Sequence, residues 1–235
     1  MRQPPSLLLF VVVSAGLACA DTPSAPPGTL AAPGAASASL AAAPARTSTV
    51  DHVLFFVRGG PPMFPALSLS SPASTLLWDR RGHQPVIAPD GHQVTLGEWI
   101  TPTGRASVKC IEGGTHTVLH YSDLLPNATY TVWQLAFASP GFQGSPGANL
   151  IAIGALGPND GSGNVFHTSA AGEGELSAVT PAGPLSIMGS LGACALDEFE
   201  VHYVAAYHFD GQTWGRFPGP AGTFAEQAGV RFLGH

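Results

Sequence analysis

The residues of this chain that could do chemistry are nine histidines, three cysteines and a strand-like segment carrying Glu198, Glu200 and His202. Imidazoles ligate transition metals when two or three of them converge with carboxylates or thiolates. The spacings work against the obvious pairs. At about 3.3 Å per residue along an unbroken strand, His116 and His120 stand roughly 13 Å apart, and His202 and His208 roughly 20 Å. No His-x-His pair puts two rings on one face one pleat apart. A metal site would therefore have to be assembled across strands, with His116, His120, Glu200, His202 and His208 as its candidate ligands. Hydrogen-bonded or solvated histidines are the plainer expectation. Glu198, Glu200 and His202 share one strand face and could form an acid–base group, although the polar face of an antiparallel strand is ordinarily its wet side.

Other motifs fall short of a reaction. Asp160-Gly161-Ser162-Gly163-Asn164 offers oxygen side chains at alternate positions, as a calcium loop does, but Val165 stands where the turn glycine belongs and Ala171 where the bidentate Glu belongs. A polar hairpin loop is the expectation there. No G-x-S-x-G is present, and the Gly-rich stretches lack the strand-to-helix context of a phosphate loop. The sequence thus assigns no catalytic residue and no cofactor. Among the tryptophans, Trp78, Trp99, Trp133 and Trp214, any exposed ring could stack on carbohydrate, while Trp133 is expected in the core.

These side chains must be positioned by strands. Leu124, Pro126 and Tyr130 carry the spacing L-x-P-x-x-x-Y within Val118–Phe137. That spacing resembles the tyrosine corner of fibronectin type III and other immunoglobulin-like sandwiches, which implies a Greek-key β-sandwich and a Tyr hydroxyl bonded back to the connecting backbone. Around the corner, Thr115 to Tyr121 pairs with Arg105 to Ile111. On the strand that follows, Tyr130, Val132, Gln134 and Ala136 alternate with Thr131, Trp133, Leu135 and Phe137, so both faces should be covered. Pro85 to Leu96 places Asp90-Gly91 between two β-rich runs, a hairpin signal. In Leu196 to His208, Phe199, Val201, Tyr203, Ala205 and Tyr207 should face inward, and Glu198, Glu200, His202 and His208 outward. Short strands are expected at Asn149 to Leu156, Asn164 to Ser169, Gly174 to Val179 and Gly229 to Leu233. The fold class expected is all-β, an immunoglobulin-like or jelly-roll Greek-key sandwich, mainly antiparallel. The chain is also similar to a loosely defined group of secreted bacterial β-sandwich proteins without an assigned activity. That similarity lies in Ala88-Pro89-Asp90-Gly91, the corner around Pro126, Glu200-Val201-His202 and Tyr207-His208-Phe209-Asp210-Gly211. It implies secretion and fold, and supplies no substrate or catalytic residue.

The N-terminal region sets the expected location. Arg2, the apolar run Leu7 to Val13 and the small residues ending at Ala20 read as a secretion signal over residues 1–20. Ala18-Cys19-Ala20 fits a cut after Ala20, whereas Leu17-Ala18-Cys19 resembles a lipobox cut before Cys19. Cysteine arithmetic favours lipidation of Cys19, because Cys110 and Cys194 then remain as an even pair, expected as a disulfide in an oxidising compartment. Residues 21–49 read as a disordered Ala/Pro/Ser tether, and residues 50–235 as one β-sandwich domain. A buried strand is expected in Val53–Val57. Lys109 is the only lysine and the net charge is -6, with no basic stripe for nucleic acid. The expectation is a non-catalytic, exported, surface-tethered module that binds an extracellular ligand or cell-envelope component and meets the membrane only through its lipid anchor. The alternative is a metal-binding or enzymatic sandwich with a site drawn from His and Glu across strands.

Overall fold

Alternating apolar and polar residues, punctuated by glycine and proline, leave this chain little besides antiparallel strands to bury its apolar surface. A computed structural model describes residues 44–53, 71–79, 84–143 and 149–234. Its strands are β1 (Arg46–Val53), β2 (Thr103–Ile111), β3 (Gly114–Ser122), β4 (Thr129–Phe137), β5 (Leu150–Ala155), β6 (Val165–His167), β7 (Gly174–Pro181), β8 (Gly183–Pro184), β9 (Ser190–Leu191), β10 (Glu200–His208) and β11 (Phe224–Phe232). A one-turn helix α1 (Leu96–Ile100) and a 3₁₀ turn at Ala195–Asp197 complete the set. The signal segment, Cys19, residues 21–43 of the tether and the run 54–57 lie outside the described residues.

The main sheet runs β5-β4-β10-β11-β1-β2-β3-β7, with β6 also on β4. Every ladder is antiparallel, and the sheet curls to give an all-β, sandwich-like fold. The strand β1 belongs to both halves. Its residues Arg46–Thr49 pair with β2, and after an irregularity its residues Val50–Val53 pair with β11. Strand structure consequently starts at Arg46, four residues before the boundary expected at residue 50. Arg46 carries a further reason: its guanidinium donates to Leu196 O at 2.8 Å and to Leu233 O, fastening the last residues of the apparent tether to the domain.

The corner between β3 and β4 carries the chain from one half to the other. Leu124, Leu125 and Ala128 are buried there. The Leu125 amide donates to the Tyr130 hydroxyl at 3.2 Å, and that hydroxyl donates to Gln227 Oε1 at 2.6 Å. Gln227 Nε2 in turn donates to Trp99 O at 3.1 Å, so one buried side chain of β11 joins the corner to α1. Tyr121, Phe166 and Tyr130 stack in sequence through the core and Tyr207 packs tilted against Tyr130, with centroid spacings of 5.7, 5.3 and 5.5 Å.

Residues 84–96 form the expected hairpin, with Pro89 inside the turn. Gly91 N donates to Ala88 O, and Gly91 adopts φ +93°, giving a three-residue loop. The same segment also ends in a capping box: Thr95 Oγ1 accepts from Glu98 N, and Glu98 Oε2 accepts from Thr95 N. The Thr-x-x-Glu spacing before Trp99 is a legible helix start. Beyond β3, Cys110 on β2 and Cys194 are disulfide-bonded with Cα atoms 5.2 Å apart, fixing the segment before β10 to the opposite half.

Both faces of β4 are buried, as its sequence predicts. Tyr130, Val132 and Ala136 join the main core. Trp133 forms a second cluster with Ala155, Ala206 and Phe224, while Phe137 packs edge-on to Phe142. The outward face of β10 is a correction to the expected wet side: His202 and His208 are 3% and 1% exposed. Alternation marks two faces, and cover supplied by distant segments decides which of them is wet.

Candidate binding surface

Glu200 and His202 meet on β10, but among the described residues the histidine and carboxylate candidates do not converge on one metal site. His116 Nε2 meets Ser177 Oγ at 3.0 Å and His120 Nδ1 meets Glu175 Oε2 at 3.5 Å, both on β3–β7 and both outside the core. On β10, His202 Nε2 meets Glu200 Oε1 at 2.6 Å, while His208 Nε2 lies 2.8 Å from Thr131 Oγ1. Glu198 is exposed and contributes to neither pair. Asp160 Oδ1 accepts from Ser162 N at 2.9 Å, the Asx turn of a polar loop. Among the described residues, the one group of three ligand-type side chains within 4.8 Å is Cys110, Cys194 and Asp197, and both its sulfurs are spent in the disulfide.

Two of these groups have instructive electrostatics. Glu200 is roofed by residues 141–142: its Oε2 accepts from the Phe142 amide at 3.3 Å and lies against Gly141 Cα, where a Cβ would collide with it. Phe137 and Phe142 flank the His202 ring at 4.9 and 5.3 Å. The pair is thereby closed over by aromatic rings and a glycine. At the other end of β10, Trp133 Nε1 donates to Thr131 Oγ1 at 2.9 Å, so the Thr131 hydroxyl can spend its own proton on His208 Nε2. The imidazole proton then sits on Nδ1, which meets no acceptor. Burial pushes the His208 pKa below its ordinary value, against a weaker opposing field from Asp210.

His92 forms a third array that the spacing arguments overlook. Its Nδ1 lies 2.5 Å from Asp90 Oδ1 and its Nε2 lies 2.8 Å from Glu98 Oε1. The Asp90 hydrogen bond raises the His92 pKa against desolvation. With both nitrogens engaged, His92 fastens the hairpin to α1 and offers neither a free base nor a ligand atom.

The open surface lies elsewhere, on three connections shaped by glycine: 156–164, 182–192 and 209–223. Gly161, at φ +80°, approaches Gly215 too closely for any side chain, which seats the third connection on the first. Arg216 Nη2 donates to Ser186 O at 3.2 Å, tying the third to the second. The same guanidinium stands 5.2 Å over the Phe217 ring. Gly219, at φ +101°, lies against the Trp214 ring edge where a Cβ would collide. These ties hold Ile187, Met188, Trp214 and Phe217 between 42% and 53% exposed on adjoining loops. By contrast, Trp99 and Trp133 are buried and Trp78 is partly buried, so Trp214 is the most exposed of the four rings. A crevice of about 150 Å³ opens beside them, lined by Ala155, Gly157, Thr180, Pro184, Leu185 and Ser186.

Sequence reasoning named Trp214 among four tryptophans and left Arg216, Phe217, Ile187 and Met188 unremarked. The available signal was two large aromatics inside a Gly/Pro-rich loop, where no strand gives them an inward face. No family model matches the chain, and a search of curated proteins finds no match.

Proposed function

We propose that this chain is a non-catalytic, exported β-sandwich module, tethered at its N-terminus, that binds a partner through the loop surface around Trp214. The observation that carries this reading is the set of four large apolar side chains held at least 42% exposed by ties between loops. Scattered exposed apolar residues are ordinary, whereas these four flank the Arg216–Ser186 tie between two connections, and exposed apolar residues gathered in one region mark an interaction site. The disulfide suits an oxidising compartment, and the sequence of residues 1–20 supports export with either simple cleavage or lipidation at Cys19. No helix among the described residues is long and apolar enough to cross a membrane. The test compares isolated cell-envelope fraction bound by the wild-type protein and by Trp214→Ala/Phe217→Ala. Binding should fall at least about tenfold while the melting temperature holds; equal binding by the two proteins would sink the reading.

A further inference from the structure

Resting on that reading, we propose that the surface receives a protein segment in which a carboxylate side chain adjoins an apolar one, the carboxylate meeting Arg216 and its neighbour entering the crevice beside Ser186. Arg216 is the cation of the patch and its orientation is fixed by Ser186 O and the Phe217 ring. A guanidinium carries five N–H donors in a fork that suits a carboxylate, and among the described residues no carboxylate pairs with it. The nearest acidic loop residues are turned to their own backbone: Asp160 Oδ1 accepts from Ser162 N, and Asp210 Oδ1 from Gln212 N at 3.0 Å. The guanidinium is therefore preorganised for an anion from outside.

The surrounding side chains select the partner class. Trp, Phe, Met, Ile and Arg without Lys is the composition enriched at the centres of protein interfaces. A glycan would use the two rings but gain nothing from Ile187 and Met188. Anionic lipid requires a cluster of basic residues, whereas this chain has a net charge of -6 and Arg216 is the one Lys or Arg on these three connections. The crevice, about 150 Å³, is lined mainly by Ala, Gly, Pro and Leu. That is the size at which an apolar cavity accepts a benzene-sized group. Ser186 belongs both to the crevice wall and to the Arg216 anchor, so the two subsites are neighbours.

The test uses the full chain and immobilised eight-residue peptides pairing Glu or Asp with Leu or Phe, each with a Gln or Asn counterpart. Neutral cello-oligosaccharides and vesicles of phosphatidylcholine with phosphatidylglycerol serve as competing probes. Acidic-apolar peptides should bind, lose about tenfold on amide replacement, weaken with added salt, and lose about tenfold again on Arg216→Gln at unchanged melting temperature. If Trp214→Ala abolishes binding of the envelope fraction but Arg216→Gln does not, the surface binds and this ligand class is wrong. Binding of the oligosaccharide or the vesicle in place of the peptides overturns the inference in the same way. If no peptide binds and Trp214→Ala matches wild type on the envelope fraction, the inference and the underlying reading fall together.

Discussion

His202 and His208 lie on one face of one strand, both nearly inaccessible, and their surroundings differ in kind. His202 meets a carboxylate at 2.6 Å, within a cover of Phe137, Phe142 and Gly141. His208 meets a hydroxyl at 2.8 Å and leaves Nδ1 without an acceptor. Equal burial thus accompanies two surroundings, a carboxylate against the His202 ring and, at His208, a hydroxyl in a site whose desolvation favours the neutral imidazole.

The sharpest way to break this contrast is Glu200→Ala. It deprives His202 Nε2 and the Phe142 amide of their acceptor together, and at about 1–3 kcal/mol for each donor left unpaired the loss should be about 2–5 kcal/mol by urea denaturation. Glu200→Gln, which retains an acceptor oxygen, should cost less. A loss under 1 kcal/mol for the alanine variant would mean that the pair contributes no more than an exposed one.

Thr131→Val acts on the other end with almost no change in volume. It leaves both Trp133 Nε1 and His208 Nε2 unpaired, and should destabilise the domain by about 1–3 kcal/mol. A neutral effect in denaturation would show that neither bond matters to stability.

The smallest effect tests the His208 end by pH. Because burial lowers the folded-state pKa of His208 below its ordinary 6.5, the unfolded chain binds this proton more readily than the folded one. Stability from His208 is therefore intact above the ordinary value and declines as pH falls below it, by at most about 1.4 kcal/mol per pH unit. His92, whose pKa is raised, contributes in the opposite sense, favouring the folded state as pH falls. Comparison with His208→Gln cancels that background. The wild type should lose stability relative to the variant between pH 7 and 5, and parallel curves would refute the assignment.

Much of the fold is legible in the sequence because local rules coincide with tertiary need. Tyr130 sits at the spacing that lets its hydroxyl reach Leu125 N, and Trp133 and Tyr130 reveal by alternation that β4 is covered on both sides. Cys110 and Cys194 pair as the cysteine count suggests. The β10 histidines were misplaced because their cover, residues 141–142 and Phe224, comes from segments whose location no periodicity encodes. The loop surface is harder still. Arg216 acquires its orientation from Ser186 O, 30 residues away, through glycines whose tight approach has no local signature.

The double pairing of β1 also has a kinetic meaning. Its first half can form a ladder with β2 early, but Val50 and its followers wait for Val230, near the other end of the chain. Until β11 has been made, that half of β1 would lack its ladder partner and be an open sheet edge, the type of surface on which unfinished chains associate. Closure through so distant a contact is entropically slow. A chain still being synthesised would thus depend on protection of this one segment until β11 has been made.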